Sequence, residues 1–226
     1  MKTLNPLPIA AFALCAVAAA TASAAYVKPK MGGAQESAPM VMPNVKFDGT
    51  KLTVSGIVDD GGVQIAAVPV LRPLTPLDAF DPAQPWGVLG TKAYNLQYGW
   101  NIGTGSEPLP LGASIWIEAT HATAGLETYE RGTNIYTPIF GTGNSSTRWL
   151  WNGVMAHNAY AVPASTGNWE ATYALYLGDA TGTPITNYGG TSVTLSWTSV
   201  PEPATLGLAA ICGVFGLRRR SKGRPR

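Results

Sequence analysis

Trp169-Glu170-Ala171-Thr172-Tyr173-Ala174-Leu175-Tyr176-Leu177 alternates along its whole length. Successive side chains of an extended strand point to opposite faces. Trp169, Ala171, Tyr173, Leu175 and Leu177 therefore share one face, and Glu170, Thr172, Ala174 and Tyr176 the other. Val193, Leu195 and Trp197 alternate with Ser192, Thr194, Ser196 and Thr198 in the same way. Both segments read as strands with one buried face. The same period predicts strands over residues 51–58, 63–70, 92–100, 114–119, 126–131, 147–151 and 158–162.

Turn chemistry separates these strands. Asp59-Asp60-Gly61-Gly62 joins two β-branched runs and reads as a hairpin, since glycine supplies the positive φ a tight turn needs. Residues 178–184 and Asn187-Tyr188-Gly189-Gly190 punctuate the last strands similarly. Residues 71–85 carry Pro73, Pro76, Pro82 and Pro85 around Leu77-Asp78-Ala79-Phe80, a connection that crosses the surface or bridges sheets. Pro29, Gly32, Gly33, Pro39 and Pro43 mark residues 25–44 as a flexible lead-in. The expected fold is all-β: an antiparallel β-sandwich of about nine strands over residues 45–199, a jelly roll being one form of it.

Charge is unevenly spread over the 226 residues. Six of the last nine residues are Lys or Arg, whereas residues 25–199 hold eight basic and twelve acidic side chains, a net of −4. Such a body lacks the basic face that nucleic-acid binding requires. Cys15 and Cys212 lie in the two terminal apolar runs, so the body must be stable without a disulfide. All seven Trp and all nine Tyr fall between residues 26 and 197 and can fill a core.

The ends read as sorting signals. Lys2, an apolar run over residues 9–20 and the small-x-small site Ala22-Ser23-Ala24 form a secretory signal peptide over residues 1–24, with Ala25 as the first mature residue. Its partners are signal peptidase and the general secretion machinery. At the other end, Pro201-Glu202-Pro203 precedes an uncharged run over residues 204–217 and then Arg218-Arg219-Arg220. Two prolines hold the motif extended. The arginines keep their end cytoplasmic and set the topology of a single transmembrane helix. Fourteen residues reach only ~21 Å against a ~30 Å hydrocarbon core, which suits transient membrane anchoring.

Residues 200–226 resemble the PEP-CTERM sorting segment: Pro201, Glu202 and Pro203 match its Pro-Glu-Pro, followed by Ala204-Thr205-Leu206, a Gly-rich apolar run and the Arg cluster. The resemblance implies recognition by exosortase, a membrane enzyme of Gram-negative bacteria that make extracellular polysaccharide. It implies an inner-membrane-anchored precursor that passes to the cell surface or extracellular matrix.

The body carries fewer chemical signals. His121 and His157 lack metal-site spacing, and without cysteine no zinc set is evident, so no cofactor or metal is expected. Glu118, Glu127, Glu130 and Glu170 lie on expected strands and could supply a glycosidase pair, but Glu127 and Glu130 differ in parity and surface placement is the usual one for Glu. Asp59, Asp60 and Asp179 lack the alternating acids of a calcium loop. Trp149 and Trp151, two apart on one strand, form with Trp169 a candidate carbohydrate platform beside Arg148 and Asn152; core packing is the competing role. The expected function is that of a secreted, non-enzymatic β-sandwich protein associated with extracellular polysaccharide. A carbohydrate-binding module using exposed Trp and a secreted glycosidase or lyase are the alternatives.

Overall fold

A computed structural model describes residues 24–132 and 135–201. The expected signal-peptide run before Ala24 and the expected transmembrane helix and basic cluster after Pro201 lie outside those residues. Among the described residues no helix is long and apolar enough to cross a membrane.

The described residues are all-β, with two short 3₁₀ turns at Pro85–Leu89 and Thr142–Asn144. In chain order the strands are β1 (Ala25–Tyr26), β2 (Val41–Phe47), β3 (Leu52–Asp59), β4 (Val70–Leu71) and β5 (Asp78–Ala79). Next come β6 (Lys92–Asn95), β7 (Gly99–Ile102), β8 (Ser114–Ala122), β9 (Glu127–Arg131) and β10 (Tyr136–Ile139). The last are β11 (Arg148–Trp151), β12 (Ala156–His157), β13 (Ala159–Pro163), β14 (Gly167–Gly178) and β15 (Thr191–Ser199).

They form a five-stranded sheet in the order β11-β8-β14-β15-β4, two four-stranded sheets, β10-β9-β13-β6 and β12-β7-β2-β3, and the pair β1-β5. Alternation dictates the five-stranded sheet. Ala171, Tyr173, Leu175 and Leu177 of β14 are buried, as are Leu195 and Trp197 of β15 and Ile115 and Ile117 of β8. These side chains meet Val45, Phe47, Trp100, Tyr160 and Val162 of the four-stranded sheets in one main core. Each fully buried Leu, Ile or Phe stabilises it by roughly 1.5–3 kcal/mol.

Strand β13 is buried on both faces. Tyr160 and Val162 enter the main core, while Ala159 and Ala161 belong to a second core on the far side of the sheet. The small alanines admit Leu74 and Phe80 from the proline-rich connection and Leu89 from the 3₁₀ turn that follows it, so this stretch packs over that sheet. Val27 and Met31 complete the cover.

Several expectations are corrected. The fold has more strands than about nine, because two-residue pairs such as β1-β5 leave no periodicity to read. It is not purely antiparallel: β1-β5, β15-β4 and β2-β7 pair in parallel. Residues 92–100 form two strands in different sheets. Asn95 turns the chain between them, its side chain accepting from Gln97 N–H (2.8 Å) and donating to Val70 O (3.1 Å). The turn at Asp59 closes, with Asp59 N–H donating to Val63 O (2.9 Å), but pairing ends at Ile65 after a single bridge between Gln64 and Val58, and of the expected strand 63–70 only Val70 lies in a strand. The lead-in is docked rather than loose. Leu96 N–H donates to Met31 O (2.9 Å), Tyr94 Oη–H to Ala34 O (2.6 Å) and Arg72 Nη1–H to Gly32 O (3.1 Å), and β2 already begins at Val41.

Candidate functional site

Register decides which tryptophans meet solvent. Trp149 and Trp151 pair across with Ile117 and Ile115, so they share the inward face of β11 and are 8% and 1% exposed. They pack against Phe140 and Trp100 (ring centroids 6.0 and 6.4 Å) and cannot form a carbohydrate platform. Trp169 differs. It lies near the end of β14 opposite Trp197, is half-buried, and donates from Nε1–H to Ser199 Oγ (2.9 Å).

An open groove of about 390 Å³ lies at Trp169, lined by Asn168, Glu170, Thr123, Ser196 and Thr198, with Val68 at its side. Asn168, Glu170, Ser196 and Thr198 share the outer face of the sheet, whereas Trp169 and Trp197 point to the inner face, where Trp169 packs against the main core. Thr123 ties the segment after β8 to β14, its Oγ1 accepting from Glu170 N–H (3.0 Å). His121, exposed on β8, places Nε2 3.8 Å from Glu170 Oε1.

The other carboxylates lie elsewhere. Glu118 stands opposite Ala174, four residues along the outer face from Glu170, a separation of roughly 13 Å at ~3.3 Å per residue. A glycosidase pair needs ~5–9.5 Å. Glu127 faces the second core, where Lys92 Nζ and Tyr129 Oη both donate to its Oε2 and Lys92 also donates to Tyr129 Oη (2.8 Å). Burial pushes the Glu127 carboxyl up, but these hydrogen bonds bring it below its ordinary value. Burial and the Glu127 hydrogen bond raise the Tyr129 phenol, so it stays protonated. Glu130, one residue further in parity, pairs with Thr137 on β10.

His157 is buried far from His121 along the chain, with Nδ1 3.0 Å from Gln97 O, and burial lowers its pKa. Asp59 and Asp179 each spend an oxygen on backbone N–H groups of their own turns. Among the described residues no three His, Cys, Asp or Glu side chains converge as metal ligands would.

Trp116 and Tyr176 were not singled out by sequence reasoning, yet they stand on the outer face of the five-stranded sheet, directly opposite each other. Trp116 Nε1–H donates to Asp179 O (2.9 Å), and Tyr176 Oη–H and Arg148 Nη1–H donate to Gly182 O (both 3.1 Å). Three neighbouring strands thus pin the 179–183 loop over that face. The signal was available in Ile115-Trp116-Ile117, where the two isoleucines point inward and force Trp116 out.

The sorting segment leaves beside the groove. Ser199, the last residue of β15, is buried, its Oγ donating to Ser165 O while accepting from Trp169. Val200 N–H still donates to Leu71 O (3.3 Å), and Pro201 is exposed. Ala24 and Ala25 are exposed at the other end, with Ala25 N–H donating to Leu77 O (2.9 Å). Ala22, Glu202, Pro203, Arg218, Arg219 and Arg220 lie outside the described residues.

A family model, the PEP-CTERM protein-sorting motif, matches residues 199–222. That motif marks a class of bacterial proteins that are exported, held at the membrane and passed to the cell surface, with an exosortase as the implied processing partner. The chain thus carries the PEP-CTERM sorting motif at its carboxyl end. No curated protein and no solved structure matches the chain.

Proposed function

We propose that this is a secreted, surface-sorted, non-enzymatic β-sandwich protein, cut at its carboxyl end by an exosortase-type enzyme and associated with extracellular polysaccharide around a Gram-negative bacterium. The observation that carries it is the junction at Ser199. The motif match begins on the last residue of β15, so an all-β body hands its chain to the sorting segment with no intervening linker. Side chains of the five-stranded sheet meet those of both four-stranded sheets in one core, which supports a sandwich. The ~13 Å between Glu118 and Glu170 supports a role without hydrolysis.

The extended Pro201-Glu202-Pro203 would be recognised outside the bilayer, and Arg218 to Arg220 would resist translocation. Glu202→Ala should leave membrane insertion intact yet block processing, so that full-length precursor collects in the inner membrane. The measurement is product size and location in a host with exosortase and in one without it. Normal processing of Glu202→Ala, or a mature surface protein that keeps its arginine cluster, would reduce the segment to a plain tail anchor.

A further inference from the structure

Four stretches of chain meet where β15 ends. Ser199 Oγ donates to Ser165 O, Thr198 N–H to Pro69 O (3.1 Å) and Val200 N–H to Leu71 O (3.3 Å). A β-carbon on Gly125 would lie 3.7 Å from both Pro163 and Trp169, which brings the β8–β9 turn to the same end. Pro163 pairs with Lys92, and Lys92 lines one pocket with Thr75 and Pro76, so the tip of the proline-rich connection stands there too. Residues 66–71, 73–77, 122–126 and 163–169 contain no charged side chain, in a body that holds eight basic and twelve acidic ones. The charges around this end are held or set back. Lys92 Nζ donates to Glu127, Arg72 Nη1–H donates to Gly32 O, and Glu170 stands opposite Ser196, three residues back from Ser199. Val68, Leu77 and Val200 are exposed instead, at 45%, 64% and 38%.

Only Val200 to Pro203 separate this end from the apolar run over residues 204–217, and Glu202 is the one charge among them. Five steps from Ser199 to Ala204 reach at most ~17 Å, of which the headgroup layer takes up ~5–7 Å. Ser199 therefore stands within about 10 Å of the headgroups when the run is in a bilayer. The run spans ~21 Å against a ~30 Å hydrocarbon core, and a span that is too short draws its flanks inward, which narrows the gap further. Charged side chains pressed there would lose hydration at a cost. Exposed Val68, Leu77 and Val200 gain by entering the headgroup boundary.

We infer that the uncharged end around Val68, Leu77, Ser165 and Val200 is a lipid-docking surface, on which the body of the anchored precursor is seated against the bilayer. The inference rests on the membrane-held precursor of the proposed function and says how its body sits. β14 runs twelve residues from Gly167 at this end to Gly178, roughly 36 Å. Gly178 pairs with Ser114 at the start of β8, so the fully exposed Leu111 just before it marks the end away from the bilayer.

The test uses the exported precursor, residues 25–226, in vesicles of phosphatidylethanolamine and phosphatidylglycerol. With Cys212→Ser it has no cysteine, so Val68→Cys, Leu77→Cys, Thr166→Cys and Leu111→Cys can each carry one environment-sensitive fluorophore. Nitroxides on the lipid headgroups should quench the first three labels at least about threefold more than the label at 111, because only they lie in the ~5–10 Å boundary layer. In the Thr166→Cys protein, Val68→Asp with Leu77→Asp should bring quenching down to the level seen at 111, with the melting temperature unchanged because both positions are exposed. Equal quenching along the body, strongest quenching at 111, or insensitivity to the double substitution each overturn the inference. Quenching that appears only when exosortase shares the vesicles also overturns it and assigns the end to the enzyme. Flotation of the vesicles separates this failure from failure of the anchor. Protein that floats with this end unquenched keeps the membrane-held precursor and loses the docking surface; protein that does not float loses both.

Discussion

Lys92, Glu127 and Tyr129 are the one place where described charges meet inside hydrogen-bonding distance, and Lys92 also sits 5.2 Å from the Tyr129 ring centroid. Burial pushes the Lys92 ammonium down, and Glu127 and Tyr129 more than restore it. The Glu127 carboxyl is depressed, so its contribution to stability is complete above the ordinary Glu pKa and is lost as pH falls through the lowered one. Lys92 is raised, so its contribution is complete below the ordinary Lys pKa and is lost as pH rises through the raised one. Glu127→Gln should cost about 1 kcal/mol near neutrality, the pair being partly exposed. Urea midpoints should show that deficit shrinking below about pH 4 as wild type loses its own ion pair. None of this was legible in the sequence, where Lys92 and Glu127 are 35 residues apart. The candidate platform failed for a related reason. Spacing places Trp149 and Trp151 on one face, but only the pairing with Ile115 and Ile117 says that the face points inward.

Among the elements, strands with one wet face were readable and strands without one were not. Strands β8, β11, β14 and β15 alternate buried with more exposed side chains over much of their length, because each has the main core on one side and solvent on the other. Over 92–100 nearly every residue is buried, so alternation vanishes and the break between β6 and β7 is invisible. The lead-in misled differently, because Gly and Pro that usually mark loose chain serve here to let it lie close. Gly33 has φ +82°, and a β-carbon there would fall 2.1 Å from Tyr94 O. Gly33→Ala should therefore lift residues 25–40 off the second core, at a cost above ~1 kcal/mol. Limited proteolysis of the variant should clip this segment first, while the wild-type segment resists as long as the rest of the fold.

At the scale of the whole molecule, no cysteine lies between Ala25 and Ser199, and the body relies on two apolar cores joined through β13. The melting temperature of the mature protein should not move on adding a thiol reductant; a fall would mean that a cysteine of the terminal runs is used structurally. The partition of charge has the same simplicity: the basic cluster sits beyond the sorting motif, so its removal should leave an acidic product, which isoelectric focusing of the surface form can check. Strand β15 carries one more implication. All nine of its residues pair with β14, and β4 flanks its exit. Tension arriving through Val200 acts along the axis of that strand, so it must shear the whole ladder at once rather than peel it open bond by bond. A domain dragged by its carboxyl end in flowing liquid would yield like a rivet, not like a zipper.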